Sequence, residues 1–220
     1  MVTFHREAVT PECQQALKFL RGQPLLADYY LAGGTALALQ IGHRISTDLD
    51  WFTYSHPLES VEREALRSAL SQMGVFEIVS EQDGQMVTRL ASADVSFIYQ
   101  HHALLEPTID YEGIPLASPT DIGLMKLAAI NSRGTRRDFV DLFCLREIAS
   151  IERLAELAEI KYADRPSFLD ITARALAYFA DAEQQPMPQM LWKDVKWNDV
   201  VKYCEAGAKW LAQRLREKHR

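Results

Sequence analysis

Strand-like patterning in this 220-residue chain is confined to its first half and stops at Ser118. Ser118-Pro119-Thr120-Asp121 has the make-up of a helix start, a hydroxyl cap with proline in the first turn and an acid close behind. Nearly every segment beyond it is helix-prone. Thr135-Arg136-Arg137-Asp138 can cap a helix running through Phe139, Leu142, Phe143 and Leu145, and residues 151–160 and 168–179 supply two more. A final helix carries Trp197, Val201, Cys204, Ala208, Leu211 and Leu215 at near-heptad spacing, with a basic tail of Arg214, Arg216, Lys218 and Arg220. The chain therefore reads as two parts, 1–117 and 118–220, the second helical, with residues 184–188 as the best linker candidate. At 48% apolar and 25% charged it is long enough to bury a real core.

In the first part, Thr10-Pro11 reads as a cap with proline behind it, and Ala16, Leu17 and Leu20 form a short apolar stripe, hence a first helix. Tyr29-Tyr30-Leu31-Ala32 is a β-prone run that stops at Gly33-Gly34, after which residues 35–41 have a helical composition. Asp48-Leu49-Asp50-Trp51-Phe52-Thr53 is too short and too aromatic for anything but a strand. Leu58, Val61, Ala65, Ala69 and Met73 recur at helical spacing and predict an amphipathic helix ending near Gly74. The period then falls to two over 76–80, 85–90 and 94–99, three runs that predict an antiparallel meander.

Asp48 and Asp50 stand two apart on the predicted strand, so both side chains leave one face with Cα atoms roughly 7 Å apart. Two such carboxylates repel unless a hard cation bridges them, which makes the pair sensible as a Mg²⁺ site on a triphosphate. A solvent-facing strand edge explains an isolated pair equally well. Gly33-Gly34-Thr35 precedes it, between a strand and a helix, where glycines let backbone amides approach a phosphate and the helix start adds positive potential. An ordinary tight turn is the plainer explanation of a lone glycine pair.

Taken together, residues 31–52 (LAGGTALALQIGHRISTDLDWF) resemble the signature of the AbiEii/AbiGii toxin family of nucleotidyltransferases, within the DNA polymerase β-like superfamily. The family's glycine pair, His-Arg-x-Ser connector and Asp-x-Asp correspond to Gly33-Gly34, His43-Arg44-Ile45-Ser46 and Asp48-Leu49-Asp50. A second block resembles Asp121, Lys126, Arg133, Arg137-Asp138 and Asp141. The resemblance implies an α+β architecture, a minimal nucleotidyltransferase fold with a mixed β-sheet followed by a C-terminal helical domain. It implies that Gly33, Gly34 and Thr35 bind the phosphates of an NTP, and that Asp48 and Asp50 are catalytic and ligate Mg²⁺ or Mn²⁺. Arg44 and Ser46 would touch phosphate or pin the connector, and Lys126 would face the triphosphate from across a cleft as a point charge. Asp138 is the expected acid of the second block, although a capping box with Thr135 explains it without catalysis. Asp141 wants a partner such as Arg137 or Lys126. One position departs from the pattern: the usual third carboxylate falls on Val95-Ser96-Phe97, and serine is neither a general base near neutral pH nor a good Mg²⁺ ligand. Asp94, two residues earlier on the same strand face, is the available substitute.

Composition narrows the partners. Lys and Arg number 24 against 30 Asp and Glu, a net charge of -6, which excludes a protein that coats nucleic acid by overall basicity. RNA would have to meet a local patch, for which Arg133, Arg136 and Arg137 around Gly134 serve best, a solvated basic loop being the alternative. No apolar run approaches the roughly 18 residues that span a bilayer, so no membrane role and a cytoplasmic location are expected. Cys13, Cys144 and Cys204 are widely spaced and suggest neither a disulfide framework nor a zinc site, and His101-His102 reads as a loop pair. The activity implied is transfer of a nucleoside monophosphate to an acceptor hydroxyl, with tRNA or other RNA as acceptor and a cognate antitoxin as partner. Two other readings stay open: a binding module of this fold whose chemistry has weakened, and an antibiotic-modifying nucleotidyltransferase.

Overall fold

The computed structural model describes residues 3–72 and 76–218. The expected helix end at Met73 and Gly74, and the last basic residue, Arg220, lie outside the described residues. The chain divides into two compact units, Met1–Ser118 and Pro119–Arg220.

The first unit contains α1 (Pro11–Leu20), β1 (Tyr30–Ala32), α2 (Gly33–Ile41), β2 (Asp48–Thr53) and α3 (Ser60–Gln72). These are followed by β3 (Phe76–Gln82), β4 (Gln85–Leu90), β5 (Ala93–Tyr99), β6 (Ile109–Tyr111) and β7 (Ile114–Leu116). The described strands form one mixed sheet in the order β3-β4-β5-β2-β1-β7-β6. The meander β3-β4-β5 is antiparallel, β5 runs parallel to β2, β2 antiparallel to β1, and β1 parallel to β7. Strand alternation decides which residues enter the core: Leu49 and Trp51 of β2 and Val95 and Phe97 of β5 are fully buried, whereas Asp48, Asp50 and Phe52 are half-buried on the other face. Thr10 caps α1 by accepting from the backbone N–H of Cys13, with Pro11 in the first turn as expected.

The apolar stripe expected for α3 is displaced. Leu66 and Leu70 are its buried residues, and Val61 is 77% exposed. Leu58, taken as the first residue of the stripe, precedes the helix with φ +57 and is buried on its own account, so counting from it set the phase wrong.

The second unit holds α4 (Pro119–Ser132), α5 (Arg136–Cys144), α6 (Ile151–Lys161), α7 (Phe168–Ala175), α8 (Ala180–Glu183) and α9 (Trp197–Lys218). Its core is built from Ile122, Leu124 and Leu127 of α4, Phe139 and Leu142 of α5, Leu154 of α6 and Val200, Cys204 and Leu211 of α9. Residues 184–188 lie inside this unit, between α8 and α9. No described helix is long and apolar enough to cross a membrane, and the three cysteines are buried and free.

Candidate active site

The site begins where β1 ends. The helix α2 opens on the glycines themselves, with Gly33 at φ +65 and no side-chain cap on Ala32, so the first amides of the helix have no intrahelical partner. A Cβ on Gly33 would lie 2.5 Å from Oδ2 of Asp50, and one on Gly34 would collide with the Arg44 guanidinium. Only glycine admits a carboxylate and a guanidinium this close to one turn. The antiparallel register, Ala32 opposite Asp50, is what brings the glycine turn of one strand against the acid of the next.

The connector between α2 and β2 is tied down from three sides. Ser46 is joined to the N-terminal segment by a bridge to Val9, with its N–H donating to Ala8 O at 2.8 Å. Thr35 Oγ1 donates to the Asp48 carbonyl and shares a hydroxyl–hydroxyl hydrogen bond with Ser46 Oγ at 2.8 Å, in which it accepts. Arg44, 2% exposed, donates from Nη1 to Ile45 O at 3.0 Å. The Arg44 guanidinium and the Asp50 carboxylate thus stand against adjacent glycines of one turn.

The parallel pairing of β2 with β5 sets Asp94 directly beside Asp48 and Ser96 beside Asp50, all four on the half-exposed face. Two rows result, Asp48 with Asp94 and Asp50 with Ser96, so Ser96 occupies the place beside Asp50 and Asp94 lies one row away. Asp94 is held by Arg89 of β4, whose Nε donates to Oδ1 at 3.0 Å. Sequence reasoning missed Arg89, yet it was readable: a two-residue turn at Ala91-Ser92 sets Arg89 opposite Asp94. Burial pushes the pKa of the Cys13 thiol of α1 up, a hydrogen bond with Thr10 works against that, and the charges of Asp48, Glu12 and Asp94 add to the rise.

In the second unit, Lys126, Asp138 and Asp141 form a buried cluster. Lys126 Nζ lies 3.0 Å from Asp138 Oδ1 and 2.6 Å from Asp141 Oδ2, and all three residues are at most 6% exposed. Arg133 Nε donates to Asp138 Oδ2 at 3.1 Å, and Thr135 and Asp138 complete a reciprocal capping box at the start of α5. Burial works to raise the Asp138 pKa, but Lys126, Arg133 and the Thr135 hydroxyl together hold it down at about 2. Asp121, from the same sequence block, pairs with Lys161 at 2.6 Å. Arg136, a member of the expected basic patch, is turned inward: it donates to the carbonyls of Ala182 and Glu183 and lies 4.6 Å over the Trp197 ring. His101 and His102 pack edge to face in the loop after β5, with no cluster of metal-ligating residues among those described.

Comparison with known proteins gives a consistent result. The profile of the family described as nucleotidyl transferase AbiEii toxin, type IV toxin–antitoxin system, matches residues 18–202. An uncharacterized protein of Aquifex aeolicus, aq_aa25, is 29% identical over 204 residues, 90% of this chain and 95% of that one. Among solved structures, JHP933 of Helicobacter pylori superposes with a TM-score of 0.54 at 16% identity, covering 98% of this chain and 96% of the other, which is a likeness of fold.

Proposed function

Because the chain belongs to the AbiEii family of nucleotidyl transferase toxins, and is thus a nucleotidyltransferase, we propose that it moves a nucleoside monophosphate from an NTP to an RNA hydroxyl. The acceptor oxygen bonds to the α-phosphorus, the bond to the β-phosphate bridging oxygen breaks, and pyrophosphate leaves. The proposal extends to a toxin acting in the cytoplasm and silenced by a cognate antitoxin.

The observation that carries this reading is the packing of the Asp50 carboxylate against Gly33 at an uncapped helix start, with Asp48 two residues away on the same face. The donor set suits a hard divalent cation, being carboxylate oxygens on one half-exposed sheet face, and the void that a Cβ on Gly33 would fill is needed for Asp50 to sit there. Asp48 and Asp50 would hold Mg²⁺ or Mn²⁺, which when bound neutralises charge on the phosphates. The glycine turn and the first amides of α2 receive phosphate oxygens, with Thr35 and Ser46 keeping the turn and β2 in fixed register. Arg44 adds positive charge at the same turn. Asp94, beside Asp48, is the acid available to take the proton of the attacking hydroxyl. Within the second unit, the pairing of Lys126 with Asp138 and Asp141 holds these side chains in place.

The test is incubation with labelled NTPs, Mg²⁺ and total tRNA. Label enters RNA with the wild-type protein, and an Asp48→Ala, Asp50→Ala double variant loses transfer while keeping its circular dichroism spectrum. Equal transfer by the double variant would sink the assignment. Ser96 beside Asp50 favours one rival, a module that binds NTP without efficient turnover, for which the same assay returns bound, unconverted nucleotide.

A further inference from the structure

The row of side chains that contains Asp48 continues across four strands. Parallel pairing sets Asp94 of β5 beside Asp48, and the antiparallel pairings of the meander set Arg89 of β4 beside Asp94 and Glu77 of β3 beside Arg89. One cation thus stands among three carboxylates, and it reaches two of them. The Arg89 guanidinium closes on a single oxygen of Asp94, with Nε at 3.0 Å and Nη2 at 2.9 Å from Oδ1, while its Nη1 lies 3.6 Å from Glu77 Oε2. The fork holds the Asp94 carboxylate by one oxygen and leaves Oδ2 out of the pair. Like charges directly opposite on neighbouring strands repel, so the group that draws on Asp94 from its other side decides where this acid stands relative to Asp48. The turn that creates the pair is strained. Ala91 and Ser92, between β4 and β5, have φ +49 and +67, a left-handed backbone that costs a residue with a Cβ and that glycine or asparagine takes more readily. Hairpin register follows loop length, and this two-residue turn is what keeps Arg89 opposite Asp94.

We propose that Arg89 is a positioning residue for nucleotidyl transfer, holding the Asp94 carboxylate where it takes the proton of the attacking hydroxyl. The inference rests on the catalytic reading of the acidic row and adds the group that acts through Asp94. An ordinary ion pair on a sheet surface can be made to any neighbouring acid. This one is made to the acid that stands beside Asp48, across a turn whose backbone conformation works against it. A lysine would hold such a carboxylate as a point charge, whereas the planar guanidinium also fixes its direction.

Steady-state transfer of label from NTP to total tRNA by the full chain tests it, with kcat and KM read separately. Arg89→Ala lowers kcat at least about tenfold and leaves KM for the NTP unchanged, because the groups assigned to the nucleotide phosphates are intact. Arg89→Lys recovers part of the loss. The Arg89→Ala, Asp94→Ala double variant is no slower than Asp94→Ala alone, since a residue that works only through Asp94 then has nothing to position. Thermal melting confirms that the variants are folded, and Arg89→Gln, which keeps the stem without the charge, replaces the alanine variant if that one is not. Wild-type kcat in Arg89→Ala overturns the proposal and leaves the pair a structural contact. Losses that multiply in the double variant, or a rise in KM at unchanged kcat, overturn it by giving Arg89 a role of its own on the substrate. A failure of the catalytic reading looks different: the wild type then transfers no label, and the positioning role falls with it, whereas transfer undiminished in Arg89→Ala removes the positioning role alone.

Discussion

At the scale of the residue, Gly33 is the most informative position in the chain, because two separate demands fall on it. Its φ of +65 costs an L-residue about 1–2 kcal/mol, and a Cβ would displace the Asp50 carboxylate. Gly113 separates the two, since at φ +85 it makes the same backbone demand with nothing within 4 Å of a Cβ. Gly33→Ala and Gly113→Ala should therefore lower the melting temperature by comparable amounts, about 2–8 °C. Nucleotidyl transfer should fall at least about tenfold in Gly33→Ala alone, the cost of shifting one catalytic group by about 1 Å. Equal activity of the two variants would show that the contact with Asp50 does not matter to turnover. The two acids of the second block separate by the same logic of contacts. Asp141 is paired with Lys126, one of the partners its sequence context required, and Asp138 serves both the capping box and the lysine.

At the scale of the element, the start of α5 is an electrostatic unit whose acid response can be worked out. The carboxyl of Asp138 has its pKa lowered from 3.8 to about 2 in the folded chain. A depressed folded value contributes stability that is fully present above the unfolded pKa and is lost as pH falls through the folded one. The window thus runs from about pH 4 down to about pH 2, and the contribution is about 2 kcal/mol. Urea unfolding at pH 5, 4 and 3 should show Asp138→Asn less stable than wild type at pH 5, with the gap closing toward pH 3. A constant gap would mean that Asp138 is not held in its charged form. The sheet makes a parallel point about legibility. The meander was visible because its turns are local, and its two-residue hairpin turn even sets Arg89 opposite Asp94. The short hairpin of β6 and β7 was not foreseen, since strands of three residues are too brief to show a period.

At the scale of the whole molecule, net charge decides how RNA can be met. With -6 overall, long-range attraction is lacking and binding depends on a few local cations. The logarithm of affinity for tRNA should fall against the logarithm of salt with a slope of about -2, as expected for two to three phosphate contacts. A slope near about -6 would require a broad basic surface and contradict this account. The expected basic patch is smaller than its sequence suggested, because Arg136 is spent on the carbonyls of Ala182 and Glu183. Sequence could not show this, since the carbonyls it satisfies lie over forty residues away in the chain.

The order of elements as far as β5, the change from strands to helices near residue 118, the glycine pair and the acidic strand were determined by local pattern, because turn chemistry and side-chain period act within a few residues of themselves. The neighbours of those residues were decided by tertiary structure alone. The parallel pairing of β2 with β5 joins segments more than forty residues apart, and no local signal states which row of β5 faces Asp50. That register places Ser96 there and Asp94 beside Asp48, and the long-range contacts of the helical unit enclose Lys126 between two carboxylates.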